Sequence, residues 1–271
     1  MDNNNITILK IGGSVITDKS ADDGTARLSE IERIAAEISG FEGKLIIVHG
    51  AGSFGHPQVK RFGLTGKFDH EGSIITHMSV RKLNTMVVET LNSAGINALP
   101  VHPMACAISS NSRIKSMFLE QIEEMLANGF VPVLHGDMVM DTDLGTSVLS
   151  GDQIVPYLAI QMKASRIGIG SAEEGVLDDK GGVIPLINNE NFDEIKAYLS
   201  GSANTDVTGG MLGKVLELLE LSEQSNSTSY IFNAGNTGNI SDFHEHIQKK
   251  DRASRTMRCK SGRIKENRSR V

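Results

Sequence analysis

KLIIVHGAGSFGHP (Lys44–Pro57) reads as a short apolar strand that runs straight into a glycine-rich turn. Leu45 to Val48 offer no polar position to either face. A strand of that kind is buried on both sides, as in a parallel sheet covered by helices. The turn that follows, His49-Gly50-Ala51-Gly52-Ser53-Phe54-Gly55-His56, lets backbone N–H groups approach a ligand with no Cβ in the way. Three other stretches repeat this pattern: ITILKI into Gly12-Gly13-Ser14, FVPVLHG into Asp137, and Ser165–Gly170 into the Gly168–Gly175 segment.

Helical patterns separate these strands. Leu28, Ile31, Ile34, Ala35 and Ile38 recur at helical spacing, and Gly40 follows as a stop signal. Ser73–Ser93, Met117–Ala127, Gln153–Lys163 and Gly210–Ser222 read as further helices, INALPV and TSYIFN as further strands, and Asp137–Leu149 as a hairpin turning at Leu144-Gly145. Strand-helix alternation predicts an α/β fold with a largely parallel central sheet and helices on both faces. The pattern restarts near Gly170, which divides residues 1–248 into an earlier part, about 1–170, and a later part, about 171–248.

The chain has 271 residues, with 39% apolar and 22% charged, as expected of a globular protein with a sizeable core. Aromatics make up 4%, with no Trp, which argues against a stacking platform for nucleic acid. No apolar run approaches the roughly 18 residues needed to span a bilayer. Met1–Asn5 is polar, without a secretion pattern, and Cys106 and Cys259 lack partners at metal-ligand spacing. A reducing, cytoplasmic setting is the expectation. Net charge is −6, yet Lys249–Val271 holds ten Lys/Arg against two acids. This basic tail therefore carries +8 and the rest −14. Its composition reads as a solvated, disordered arm rather than part of the fold.

In open α/β sheets, ligands sit beyond the carboxyl ends of the strands. Several glycine turns there describe a polyphosphate cleft. Two helix starts, Ser150-Gly151-Asp152-Gln153 and Thr208-Gly209-Gly210-Met211, add N–H groups suited to anions. Gly50–Gly55 matches G-x-G-x-x-G, but a dinucleotide site also needs an acid about 20 positions on, at the end of the next strand. Glu71 has the spacing and lies in the loop-like Gly63–Gly72 segment, so the NAD reading fails. A P-loop fails too, because Thr208 replaces its first Gly and Val215 its Ser/Thr.

Transfer between two phosphates brings like charges together, and the protein must neutralise them. Lys10, Lys19 and Lys214 are the candidate cations. Lys10 stands out because it ends a buried strand, where an unpaired lysine would be costly. Asp152 suits either a helix cap or an anchor for two lysines. His56, past the glycine turn and before Pro57, is placed to donate to a phosphate. The remaining histidines show no ligand spacing, so no protein-bound metal is predicted.

ILKIGGSVITDK, VHGAGSFGHP, VPVLHGD, SGDQIVPYLA, DVTGGMLGK and FNAGN, taken in order, resemble the amino acid kinase superfamily and, within it, the isopentenyl phosphate kinases. The resemblance implies an αβα sandwich, usually a homodimer. It implies transfer from ATP, with Mg²⁺, to isopentenyl phosphate in isoprenoid biosynthesis by the mevalonate pathway. It places Lys10, Ile11, Gly12, Gly13, Ser14 and Gly52 along the ATP phosphates and gives Lys19 the transition state. Ala51, His56 and Gly151 go to the acceptor phosphate. Asp152 would orient Lys10 and Lys214, and Gly210 and Lys214 would close over the nucleotide. Ala172 and Leu177 would also touch it, although Ser171-Ala172-Glu173-Glu174-Gly175-Val176 departs from the family's Thr-Asp-x-Asp-Gly-Val run. Ile75, Met78 and Met86, on the Ser73–Ser93 helix, are the candidates to line the acceptor's five-carbon chain. A fosfomycin kinase on the same fold is the nearest rival. Nucleotide monophosphate and acylglutamate kinases fit Gly55-His56-Pro57 less well, and the lysines argue against an inactive regulatory module.

Overall fold

Alternate residues of the two central strands face opposite cores. In β1 (Ile6–Ile11), Leu9 and Ile11 enter one apolar cluster while Ile6 and Ile8 enter another. In β2 (Lys44–His49), Leu45 and Ile47 join the first, and Ile46 and Val48 the second. This two-residue period, apolar on both faces, lets the strands be covered by helices above and below. The computed structural model describes residues 6–18, 24–199, 210–225 and 227–245. Lys19, Thr208, Gly209 and the basic tail lie outside the described residues.

The elements run in the order β1, α1 (Gly13–Ile16), α2 (Leu28–Ile38), β2, α3 (His56–Phe62), α4 (His70–Ser93), β3 (Ala98–Pro100), α5 (Pro103–Cys106), β4 (Ala107–Ser110), β5 (Arg113–Met117), α6 (Glu120–Ala127), β6 (Val131–His135), β7 (Asp137–Asp141), β8 (Gly145–Leu149), α7 (Gly151–Gln161), β9 (Arg166–Ser171), α8 (Phe192–Leu199), α9 (Gly210–Gln224) and β10 (Thr228–Asn233). The main sheet has the order β10-β9-β1-β2-β6-β3, and its pairings are parallel. Ile31, Ile34, Val80, Leu83 and Val87 of α2 and α4 cover one face. Ile122, Leu126, Ile154 and Leu158 of α6 and α7 cover the other. At the β3 edge, three residues ending in Pro100 leave little ladder for an outside strand to extend.

Three local expectations need correction. Helix α4 starts at His70, because Asp69 caps it by accepting from the Gly72 N–H at 2.7 Å. Glu71 thus lies in a helix rather than a loop, and still not at a strand end. Met117 ends strand β5, so the helix after it begins only at Glu120. A second sheet, β5-β4-β7-β8, was not legible in the sequence beyond its β7–β8 hairpin. That hairpin turns over residues 142–144, one position earlier than expected, and Gly145 at φ 81° is already the first residue of β8, paired with Asp141.

His49 and His135 pair across β2 and β6 and are fully buried. Each ring is bonded as a neutral imidazole. Their Nδ1–H groups donate to the Gly50 and Gly136 carbonyls, both at 3.0 Å. His49 Nε2 accepts from Asn84 at 3.1 Å, and His135 Nε2 from His102 at 2.9 Å. Burial pushes both histidines down to about 4. A histidine lowered in the folded state stabilises above its unfolded value of about 6.5, and that contribution is lost as pH falls toward the folded value. His77, raised chiefly by its hydrogen bond to Asp137, has the opposite sign and contributes fully below about 6.5. Acidification from pH 6.5 to 5 should therefore lower stability by about 2 kcal/mol for each buried histidine. Urea midpoints across that window test it, and a flat profile would refute the assignment.

Candidate active site

The carboxyl ends of the central strands meet in one place. Ile11 is level with His49 and with Gly170, and His49 with His135. The turns beyond them are packed backbone to backbone. A Cβ on Gly13 would lie 2.4 Å from the Gly52 nitrogen, and one on Gly50 would lie 2.6 Å from the Gly13 nitrogen. Gly52 has φ 52°, and a Cβ there would meet Thr17 Oγ1 at 2.0 Å. Only glycine allows this contact between the two turns. Thr17 locks it, donating to the Gly13 carbonyl at 2.7 Å and accepting from the Ser53 N–H at 3.1 Å. The two glycine turns are thus one rigid body. Gly13 and Ser14 open α1, so their N–H groups have no carbonyl within their own helix.

Beside this body lies a charged trio. Lys10, only 5% exposed, places its Nζ 2.5 Å from Asp152 Oδ1. Lys214 of α9 places its Nζ 3.4 Å from both Asp152 oxygens. Asp152 is not the helix cap. Ser150 takes that role, accepting from the Gln153 N–H at 3.3 Å, and leaves the carboxylate to the lysines. Burial pushes the Asp152 carboxyl up, but Lys10 and then Lys214 outweigh it and hold it below the usual range. The trio needs space under it: a Cβ on Gly151 would sit 3.3 Å from Lys10 Cε and 3.4 Å from a Val48 methyl. Such a pair of ammonium groups, fixed beside close-packed backbone, can neutralise charge on phosphate oxygens.

Gly136 closes the floor between the turns, its Cβ position being 3.6 Å from the Ala51 nitrogen and 3.7 Å from that of Gly151. Ala51 and Gly151 are thereby brought together. His56 opens α3 after Gly55. A Cβ on Gly55 would come within 2.6 Å of the Ala51 Cβ, so the turn folds Gly55, the residue before His56, back onto Ala51. Ala172 is exposed after β9, and Leu177, 36% exposed, is bridged to Val183. Neither is part of the lysine–aspartate trio. Gly210 begins α9 one turn before Lys214, at φ 59°. Met78 and Met86 lie on the exposed side of α4, opposite its buried Val80–Leu83–Val87 stripe, which does not suit them to an inner pocket.

Sequence reasoning missed a polar cluster next to this floor. Asp137 accepts from His77 Nδ1 at 2.9 Å and from the N–H groups of Met104 and Met138 at 3.2 and 2.9 Å. The His102 ring stands edge-on to both His77 and His135. No spacing along the chain joins residues from α4, β6 and the α5 cap. The only local signal was Asp137, directly after Gly136.

The sequence profile of the Amino acid kinase family matches residues 5–233. Isopentenyl phosphate kinase from Methanothermobacter thermautotrophicus is 38% identical over 248 residues, covering 86% of this chain and 92% of that protein. The enzyme of that name from Methanocaldococcus jannaschii is 35% identical over 253 residues, covering 87% and 93%. A solved isopentenyl phosphate kinase superposes with TM-score 0.76 at 33% identity, covering 89% of this chain and 96% of the other. The chain belongs to the amino acid kinase family and, within it, to the isopentenyl phosphate kinases.

Proposed function

We propose that this protein transfers the γ-phosphoryl group of ATP to isopentenyl phosphate, giving ADP and isopentenyl diphosphate. The observation that carries this reading is the Lys10–Asp152–Lys214 trio beside the fused glycine turns. ATP would lay its phosphates along Lys10–Ser14 and Gly52, with Gly210 and Lys214 closing from α9 and with Ala172 and Leu177 toward the rest of the nucleotide. The acceptor phosphate would lie against Ala51, Gly151 and His56. Residues 1–170 would thus carry the acceptor together with the turns along the ATP phosphates, and residues 171–248 the rest of the nucleotide. Lys19 would assist at the transition state.

The acceptor oxygen is already ionised, so the reaction needs no general base. The remaining work is positioning and charge neutralisation. Mg²⁺ would enter with the phosphates of ATP, screening their charge. Among the described residues no three His, Cys, Asp or Glu side chains converge as a metal site, so no step is assigned to a protein-held ion. No helix among the described residues is long and apolar enough to cross a membrane. Action as a homodimer in the cytoplasm, serving isoprenoid synthesis through the mevalonate pathway, accords with this reading.

ATP consumption should be measured with isopentenyl phosphate, fosfomycin and UMP in parallel. The expected result is turnover with isopentenyl phosphate well above the other two. Turnover of fosfomycin alone would replace the acceptor and keep the kinase.

A further inference from the structure

Glu217 lies one turn beyond Lys214 on α9, on the same side of the helix. The Arg113 guanidinium, at the start of β5, grips the Glu217 carboxylate with both arms, Nη1 on Oε1 and Nη2 on Oε2, the second at 3.1 Å. Nη2 is also 4.0 Å from Glu220, a turn further on. A planar fork on a carboxylate fixes orientation as well as distance. The contact joins residues 104 positions apart and ties the β4–β5 hairpin to the helix that carries Lys214.

The neighbouring residue makes a second tie. The Ser112 carbonyl accepts from Gln153 Nε2 at 3.2 Å, and Gln153 follows Asp152 in α7. The hairpin tip therefore touches both helices of the trio, α7 beside Asp152 and α9 beside Lys214.

The tip itself is held rigidly. Asn111 and Ser112 have φ of 48° and 63°, a left-handed conformation that side-chain-bearing residues rarely adopt without local support. Asp141 stabilises it, accepting from the N–H groups of Asn111 at 3.2 Å and Ser112 at 2.8 Å, and from those of Asp143 and Leu144. Packing of α9 through Val215, Leu219 and Leu221 is apolar, and apolar contact is non-directional. The Arg113 fork supplies direction.

We infer that the tip of the β4–β5 hairpin, through Arg113, positions Lys214: it holds α9 in register with α7 so that the Lys214 ammonium stays on Asp152. Arg113 is a positioning residue, and its effect rests on the reading of Lys214 as a group that meets the nucleotide phosphates. Half of the Arg113 side chain is exposed, and exposed ion pairs often contribute little. The effect of the Arg113 fork is therefore expected in nucleotide binding rather than in stability.

The test is binding of a non-hydrolysable ATP analogue by calorimetry, with steady-state kinetics for both substrates. Arg113→Ala and Glu217→Gln should each weaken analogue binding and raise the KM for ATP roughly fivefold, the scale of about 1 kcal/mol, with the acceptor KM little changed. Arg113→Lys, which keeps charge and loses the fork, should fall between. The reversed pair Arg113→Glu with Glu217→Arg should regain most of the loss. In a Lys214→Ala background, Arg113→Ala should add almost nothing, because the route runs through that lysine.

Analogue affinity unchanged in Arg113→Ala would overturn the inference. So would equal loss for both substrates with no recovery in the reversed pair, or an additive loss in the Lys214→Ala background. Analogue binding requires no acceptor. Failure to phosphorylate isopentenyl phosphate would count against the proposed function and leave this test intact.

Discussion

Asp152→Asn should lower turnover roughly 10³-fold and cost about 3–5 kcal/mol of stability in the nucleotide-free protein. The substitution keeps size and removes only charge. Lys10, 5% exposed, would lose its anionic partner, and Lys214 would be left facing it across a neutral amide. Breaking one side of a buried pair costs far more than the intact pair contributes, because the surviving charge stays desolvated. Asp152 is held below the ordinary carboxylate range by Lys10 and Lys214 against the opposing effect of burial. A carboxyl lowered in the folded state stabilises above its unfolded pKa, about 3.9, and loses that contribution as pH falls through the folded value. At neutral pH the whole contribution is therefore at stake. A bound ATP analogue should narrow the stability gap, since its phosphates would supply the missing negative charge. Urea denaturation with and without the analogue, together with kcat, measures both parts. Turnover within about threefold of the parent would remove the trio from the mechanism.

Lys10 was readable because its context is physically improbable: a cation ending a strand with no polar face must have a partner. The sequence could not say which acid that was, since Asp152 lies 142 positions away. The central strands were legible for a related reason. Their residues are apolar on both faces, and few other environments tolerate that. Strands β4 (Ala107–Ser110) and β5 (Arg113–Met117) were opaque because they are short, rich in Ser, Arg and Lys, and half exposed. Their order comes from neighbours, from pairing with β7 and from Asp141 beneath the Asn111-Ser112 tip. The Asn111-Ser112 tip carries no glycine or proline to mark where the turn falls within its run of small polar residues. Arg113 consequently looked like any surface arginine, and the fork onto Glu217 appears only when the chain is folded. The fused glycine turns show the same division. Each was recognisable singly, whereas their contact required both strands to be parallel and in register.

His56→Ala should reduce turnover by about 10²–10³, the scale for losing one preorganised donor to developing charge. Its placement follows from Gly55, which lets the chain fold onto Ala51 and Val80 before α3 begins. His56 is half-buried and does not cap the helix, and Pro57 still pre-sets the first turn, so stability should barely change. The loss should follow the acceptor phosphate, leaving the KM for ATP near the parent value. It should also be similar for acceptors that differ only in their hydrocarbon chain. His56→Gln, which keeps an N–H donor, should recover part of the rate. If kcat held and only the acceptor KM rose, His56 would bind ground and transition states equally and would be a recognition residue alone. Parent-like turnover would exclude it from the chemistry, leaving the lysines and the glycine turns to carry the phosphoryl transfer.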